Sequence, residues 1–252
     1  MIYEIILTEK CNWNCYYCGI PEIQDPQEIQ ELDEKQIRIL TSLRKVSTSK
    51  DLFILEGGEI GLVPETVIER VLCVLEGRKI IIDTNGLFIE KGYFEKFYNK
   101  IFQVYYHLVE DPCQDQQVKI CKDPKILNGI VGEPDCLYNF IQSHPEVFFH
   151  YIGVETKNKD FSYSEHKDTF VKIANLKNVN KIYAIHMLNF STYSQERIEQ
   201  ARNFCSSRKN NVLNLARKQF VKCASKCPTV SVDSVCDKCS TCYRVCLYSK
   251  LK

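Results

Sequence analysis

Cys11-Asn12-Trp13-Asn14-Cys15-Tyr16-Tyr17-Cys18 follows almost directly on the apolar run that opens the chain, Met1 to Leu7. An iron–sulfur cube takes four thiolate ligands. Three cysteines on one short loop therefore leave one iron open to bind something that reacts. Tyr17, just before the third cysteine, places an aromatic ring where a flat base would lie. Trp13 and Tyr16 would shield the cube from water and so tune its potential. Zinc is the other reading of such spacing, with a fourth ligand borrowed from elsewhere in the chain.

Two further segments end apolar runs in polar turns. Leu52 to Leu55, read as a buried strand, leads into Glu56-Gly57-Gly58-Glu59. Glycines let backbone approach a ligand closely, and Glu59 would accept from an ammonium group. Lys79 to Ile82 leads into Asp83-Thr84-Asn85-Gly86. Alone, a strand ending in Asn-Gly is an ordinary turn.

Taken in order, the three segments resemble the radical SAM superfamily. The resemblance implies a catalytic [4Fe–4S] cluster held by Cys11, Cys15 and Cys18. Its open iron would chelate S-adenosylmethionine, and an electron from the cluster would release a 5′-deoxyadenosyl radical. It places Tyr17 near the adenine and Gly57, Gly58 and Glu59 at the methionine end. Asp83, Thr84 and Asn85 would approach the ribose or carboxylate. One departure stands out: Ile60 follows the glutamate, where the family often has proline.

Strand-like runs recur at 2–7, 52–55, 80–83, 103–108, 147–154 and 181–188. Helical stretches fall between them, at 33–43, 64–75, 91–99, 137–143, 166–175 and 194–204. This alternation predicts an α/β fold with a parallel sheet, in keeping with the family's partial (β/α)6 TIM-like barrel. Residues 1–204 would form that barrel, with chemistry at the C-terminal ends of its strands. Cys73 reads as core, inside an apolar helical stripe.

Residues 205–252 read as a small Cys-rich, metal-binding extension. It carries Cys223, Cys227, Cys236, Cys239, Cys242 and Cys246, six cysteines within twenty-four residues, which is too dense for core packing. The last four have ferredoxin spacing without the following proline. A second iron–sulfur cluster and a structural zinc site both remain open. In cysteine density the region resembles the SPASM and twitch extensions of radical SAM maturases, which implies a peptide or protein substrate to be crosslinked, epimerised or oxidised. A reducing partner such as flavodoxin or ferredoxin is implied as well.

Fourteen cysteines without a leader point to metal in a reducing cytoplasm rather than to disulfides. Cys113, Cys121 and Cys136, near the expected active face, are candidate hydrogen-atom donors to a substrate radical. No apolar stretch approaches membrane-spanning length. Overall charge is +1, yet the segment from Arg202 onward carries eleven Lys and Arg against two Asp. Such a tail would offset thiolate charge, or dock nucleic acid or an acidic peptide. The alternatives to a maturase are a nucleotide- or RNA-modifying enzyme, a glycyl-radical activase, and a non-catalytic metal-binding module.

Overall fold

The structure, a computed structural model, describes residues 2–16, 18, 25–114, 118–154, 163–180, 182–184, 186–187, 212–217, 219–223, 227–231 and 244–245. They divide into two compact units. The first comprises Met1–Asn14, Cys18–Tyr106 and Asn210–Val235, and the second Cys15–Tyr17, His107–Lys209 and Cys236–Lys252.

In the first unit β1 (Ile2–Thr8) runs parallel to β2 (Leu52–Gly57), β2 to β3 (Lys79–Thr84), and β3 to β4 (Gln103–His107). Their apolar side chains are buried on both faces, as parallel strands covered by helices require. Ile5, Ile6, Leu7, Phe53, Leu55, Ile80, Ile81, Ile82 and Val104 are at most 1% exposed. The ladder between β1 and β2 shifts register between Ile6 and Thr8, where the chain leaves for the cysteine loop.

α1 (Glu34–Val46) starts at Asp33 with a reciprocal cap. The Gln36 N–H donates to Asp33 Oδ1 and the Asp33 N–H to Gln36 Oε1, both at 2.9 Å. Leu40 and Leu43 form its buried stripe. α2 (Glu65–Val74) buries Val67, Ile68, Val71 and Leu72, so Cys73 points outward. The expectation that Cys73 is core is therefore wrong: it is exposed, with Lys100 Nζ donating to its sulfur at 3.4 Å. The single helix expected over 91–99 is also broken. Two short helices, α3 (Leu87–Glu90) and α4 (Tyr93–Lys96), and a 3-10 turn at Tyr98–Lys100 stand there instead. Gly92, at φ 74°, separates α3 from α4 by turning the chain left-handed.

In the second unit β5 (Ile126–Gly132), β6 (Tyr151–Val154) and β7 (Ile182–Ala184) are parallel. α5 (Pro134–Ser143) and α6 (Tyr163–Ala174) lie between them in sequence. β5 was not expected, because Asn128 and Gly129 interrupt its apolar run. Gly129 is there for space: a Cβ would lie 1.8 Å from Cζ of the Tyr151 ring. A two-residue strand, β8 (His186–Met187), pairs antiparallel with β12 (Arg244–Val245).

Part of the region read as an extension joins the first unit's sheet. β9 (Val212–Asn214) runs parallel to β1 along the edge away from β2, and β10 (Gln219–Cys223) and β11 (Cys227–Ser231) follow as an antiparallel hairpin. The alternation of parallel strands with helices is the α/β, partial (β/α)6-barrel class that the sequence predicts. Among the described residues no helix is long and apolar enough to cross a membrane.

Candidate active site

The ends of β1, β2 and β3 meet in one hydrogen-bond network. Gly57 and Gly58 carry the chain from β2 past the start of the cysteine loop. The Gly58 N–H donates to Thr8 O at 2.7 Å and the Glu59 N–H to Lys10 O at 2.8 Å. Neither glycine has room for a side chain. A Cβ on Gly58 would sit 1.8 Å from Lys10 O, and one on Gly57, whose φ is 136°, would sit 2.2 Å from Thr8 O.

Glu59 is fully buried. Its Oε1 accepts the Gly61 N–H at 2.7 Å and the Thr84 hydroxyl at 2.6 Å, and its Oε2 accepts the Asn85 N–H at 2.7 Å. Ile60, in place of the family's proline, opens a 3-10 turn that Glu59 caps. Burial raises the Glu59 pKa, the Asp83 charge adds to this, and the three hydrogen bonds oppose it. Three acceptances leave about one of a carboxylate's four acceptor positions, on Oε2.

Asn85 closes the network. Its side-chain amide donates to Asn12 Oδ1 at 2.9 Å and lies 3.8 Å from Cys11 Sγ. The Trp13 N–H donates to the same sulfur at 3.4 Å. Burial pushes the Cys11 thiol up to about 11, against the donated N–H groups, and the charges of Glu59 and Cys18 push the same way. The Cys11, Cys15 and Cys18 side chains are half-buried and outside any disulfide. Among the described residues no three His, Cys, Asp or Glu side chains converge on one point as ligands of a single ion do. Thiolates on different irons of a cube have no such need.

The remaining predicted site residues fall in several places. Tyr17 lies outside the described residues, as do Cys236, Cys239, Cys242 and Cys246. Cys223 and Cys227 are opposite one another at the closed end of the β10–β11 hairpin. Cys113 and Cys136 are joined in a disulfide. A disulfide sulfur carries no hydrogen, so in this form neither is the hydrogen donor we expected, and this pair is an exception to cysteines serving metal alone. Cys121 is half-buried and outside any disulfide.

One pair had no counterpart in the sequence reading. Glu9, two residues before Cys11, is buried and held by both Nε and Nη2 of Arg217, at 2.8 and 2.7 Å. An acidic residue beside a cysteine loop is unremarkable in a sequence, and its partner is 208 positions away.

Three parallel strands thus end in a three-cysteine loop, a Gly-Gly-Glu turn and a Thr-Asn turn. Residues 5–126 match the family described as "Radical SAM superfamily". No curated protein matches the sequence. Among solved structures, one described as "Native anSMEcpe with bound AdoMet" aligns with TM-score 0.53 at 13% identity, covering 89% of this chain and 74% of that one. Another, "Native anSMEcpe with bound AdoMet and Cp18Cys peptide", aligns with TM-score 0.49 at 13% identity over 85% and 71%, too distant to argue from. The family implies a [4Fe–4S] cluster and S-adenosylmethionine as cofactors.

Proposed function

We propose that the chain reductively cleaves S-adenosylmethionine at the Cys11, Cys15 and Cys18 loop and abstracts hydrogen from a peptide or protein substrate. The observation that carries the first half is Asn85, which reaches Cys11 Sγ with its side chain and Glu59 with its backbone. It ties the thiol loop to the Gly-Gly-Glu turn, so a molecule bound at one is held against the other. The donor set fits the cofactors: soft thiols for iron, and a spare acceptor on Glu59 Oε2 for an ammonium group.

When bound, the reduced cluster supplies the electron that breaks the sulfonium bond. The chain's own residues do the rest. Asn85 Nδ2 and the Trp13 N–H direct positive dipoles at Cys11 Sγ, favouring its thiolate. Gly57 and Gly58 let the end of β2 pack against the backbone of Thr8 and Lys10, and Thr84 and Gly61 fix the Glu59 carboxylate in one orientation. Tyr17 would cover the adenine, and Asp83 with Asn85 would meet the ribose or carboxylate.

The peptide assignment rests on the cysteines that follow residue 204. In this reading Cys223 and Cys227, opposite one another in the hairpin, join some of Cys236, Cys239, Cys242 and Cys246 in an auxiliary site that binds substrate or takes up an electron. A flavodoxin or ferredoxin would supply the reducing electron, in the cytoplasm.

Anaerobic iron, sulfide and zinc analysis tests both halves, comparing the wild type with a Cys11→Ala, Cys15→Ala, Cys18→Ala variant. About eight irons in the wild type and about four in the variant are expected. Four irons plus zinc, with only the iron lost in the variant, would make the auxiliary site structural and remove the support for a peptide substrate. Iron content unchanged by the triple substitution would refute the catalytic assignment.

A further inference from the structure

We propose that Arg217 is a positioning residue for the cysteine loop, clamping both of its feet from the turn that follows β9. The proposal rests on the reading of Cys11, Cys15 and Cys18 as the cluster site.

The loop leaves β1 at Thr8 and its far foot returns at Asp25 to Glu28. These feet are joined by a short ladder. Thr8 and Glu28 form an antiparallel bridge, the Glu9 N–H donates to Gln27 O at 2.7 Å, and the Gln27 N–H donates to Glu9 Oε2 at 2.9 Å. Lys10 Nζ adds an ion pair to Glu28 Oε1 at 2.7 Å. Arg217 spans the two feet. Beyond its two bonds to Glu9, its Nη2 donates to Asp25 O at 2.8 Å.

The geometry suits an arginine and no other side chain. A planar guanidinium meets a carboxylate with two parallel N–H groups while a third proton reaches a carbonyl at the side. A lysine offers one point charge and cannot do both. The Glu9 side chain is 1% exposed and that of Arg217 is 23%, so the carboxylate depends on this partner for its charge.

Arg217 is itself well placed. The Leu215 N–H donates to Ile6 O at 2.9 Å, and Leu215 O accepts from Gln36 Nε2, the capping glutamine of α1, at 2.9 Å. On the opposite side, the loop's first residues are bonded to the Gly-Gly-Glu turn through Thr8 O and Lys10 O. Residues 8–10 are thus held between the end of β2 and a residue more than two hundred positions later. That arrangement sets the direction in which Cys11 leaves the sheet. A residue from the Cys-rich region after position 204 therefore serves the cysteine loop, whatever the tail cysteines bind.

The test uses the full chain, anaerobically reconstituted, as wild type, Arg217→Ala, Arg217→Lys and Glu9→Gln. Arg78→Ala is the control. Arg78 is also bonded several times, to Ser47 Oγ and to the carbonyls of Arg44 and Ser47, but at the C-terminal end of α1. The readouts are the rate of iron release to a ferrous chelator, the electron paramagnetic resonance spectrum of the reduced cluster, and the melting temperature. We expect Arg217→Ala to release iron roughly 10-fold faster and to broaden the spectrum. Arg217→Lys should recover only part of the loss, and Glu9→Gln should resemble Arg217→Ala. Arg78→Ala should lower the melting temperature while leaving iron release and spectrum at wild-type values. Equal iron release from Arg217→Ala and Arg78→Ala variants of similar melting temperature would reduce Arg217 to general stability and overturn the proposal. A wild type that takes up no iron would overturn it together with the cluster reading, whereas the first result leaves that reading standing.

Discussion

The side-chain amide of Asn85, at the end of β3, lies 3.8 Å from the sulfur of Cys11, 74 residues earlier in the chain. Its backbone N–H simultaneously donates to Glu59 Oε2. An N–H directed at a cluster thiolate favours the more negative, reduced state. Asn85→Ala should therefore lower the midpoint potential of the reconstituted cluster. One hydrogen bond is worth roughly 1 kcal/mol, or about 40 mV for one electron. A redox titration followed by electron paramagnetic resonance reads the shift, and an unchanged or higher potential would refute this role.

Gly58 and Gly77 separate two reasons for glycine. A Cβ on Gly58 meets the backbone oxygen of Lys10, whereas Gly77, at φ 81°, has nothing within 4 Å of the same position. Gly58→Ala should cost about 3 kcal/mol, because backbone must shift. Gly77→Ala should cost about 1 kcal/mol, from left-handed strain alone. Urea denaturation of the metal-free chain measures both. Equal losses would mean that the loop yields at Lys10 without penalty.

Reduction of Cys113–Cys136 opens a crosslink spanning 23 residues. The second unit should lose about 3 kcal/mol. Thermal melts with and without dithiothreitol should differ for the wild type and coincide for Cys113→Ser, Cys136→Ser. A wild-type melt indifferent to reductant would show that the bond contributes nothing.

His150 sets a pH dependence. Burial lowers its pKa, and its Nδ1 accepts the Asn128 N–H at 3.1 Å, a role open only to the neutral ring. The unfolded chain then binds a proton that the folded chain resists. The contribution is complete above the unfolded value of about 6.5 and is lost as pH falls below it toward the folded pKa. Stability relative to His150→Asn should shrink between about pH 7 and about pH 5.5 in urea titrations. A gap that widens on acidification would reverse the sign of the argument.

Much of the site was legible because its parts are local. The Cys11, Cys15 and Cys18 spacing, the Gly57-Gly58-Glu59 turn and the Asp83 to Asn85 turn each lie within a few residues, at the ends of apolar runs long enough to read as strands. β5 escaped because Asn128 and Gly129 break its pattern, and only the Tyr151 ring explains the glycine. The helix over 91–99 failed on one residue, Gly92, whose left-handed backbone outweighs the flanking propensity.

By itself the sequence determined the α/β class, the strands β1 to β4 and the short polar turns that follow β2 and β3, since these depend on short-range spacing and hydrophobic period. Tertiary structure alone decided that Arg217 grips Glu9, that Cys113 meets Cys136, that Cys73 faces outward, and that β9 pairs with β1. Those facts depend on which distant segments pack together. Packing is a property of the whole burial pattern, and no local run of residues encodes it.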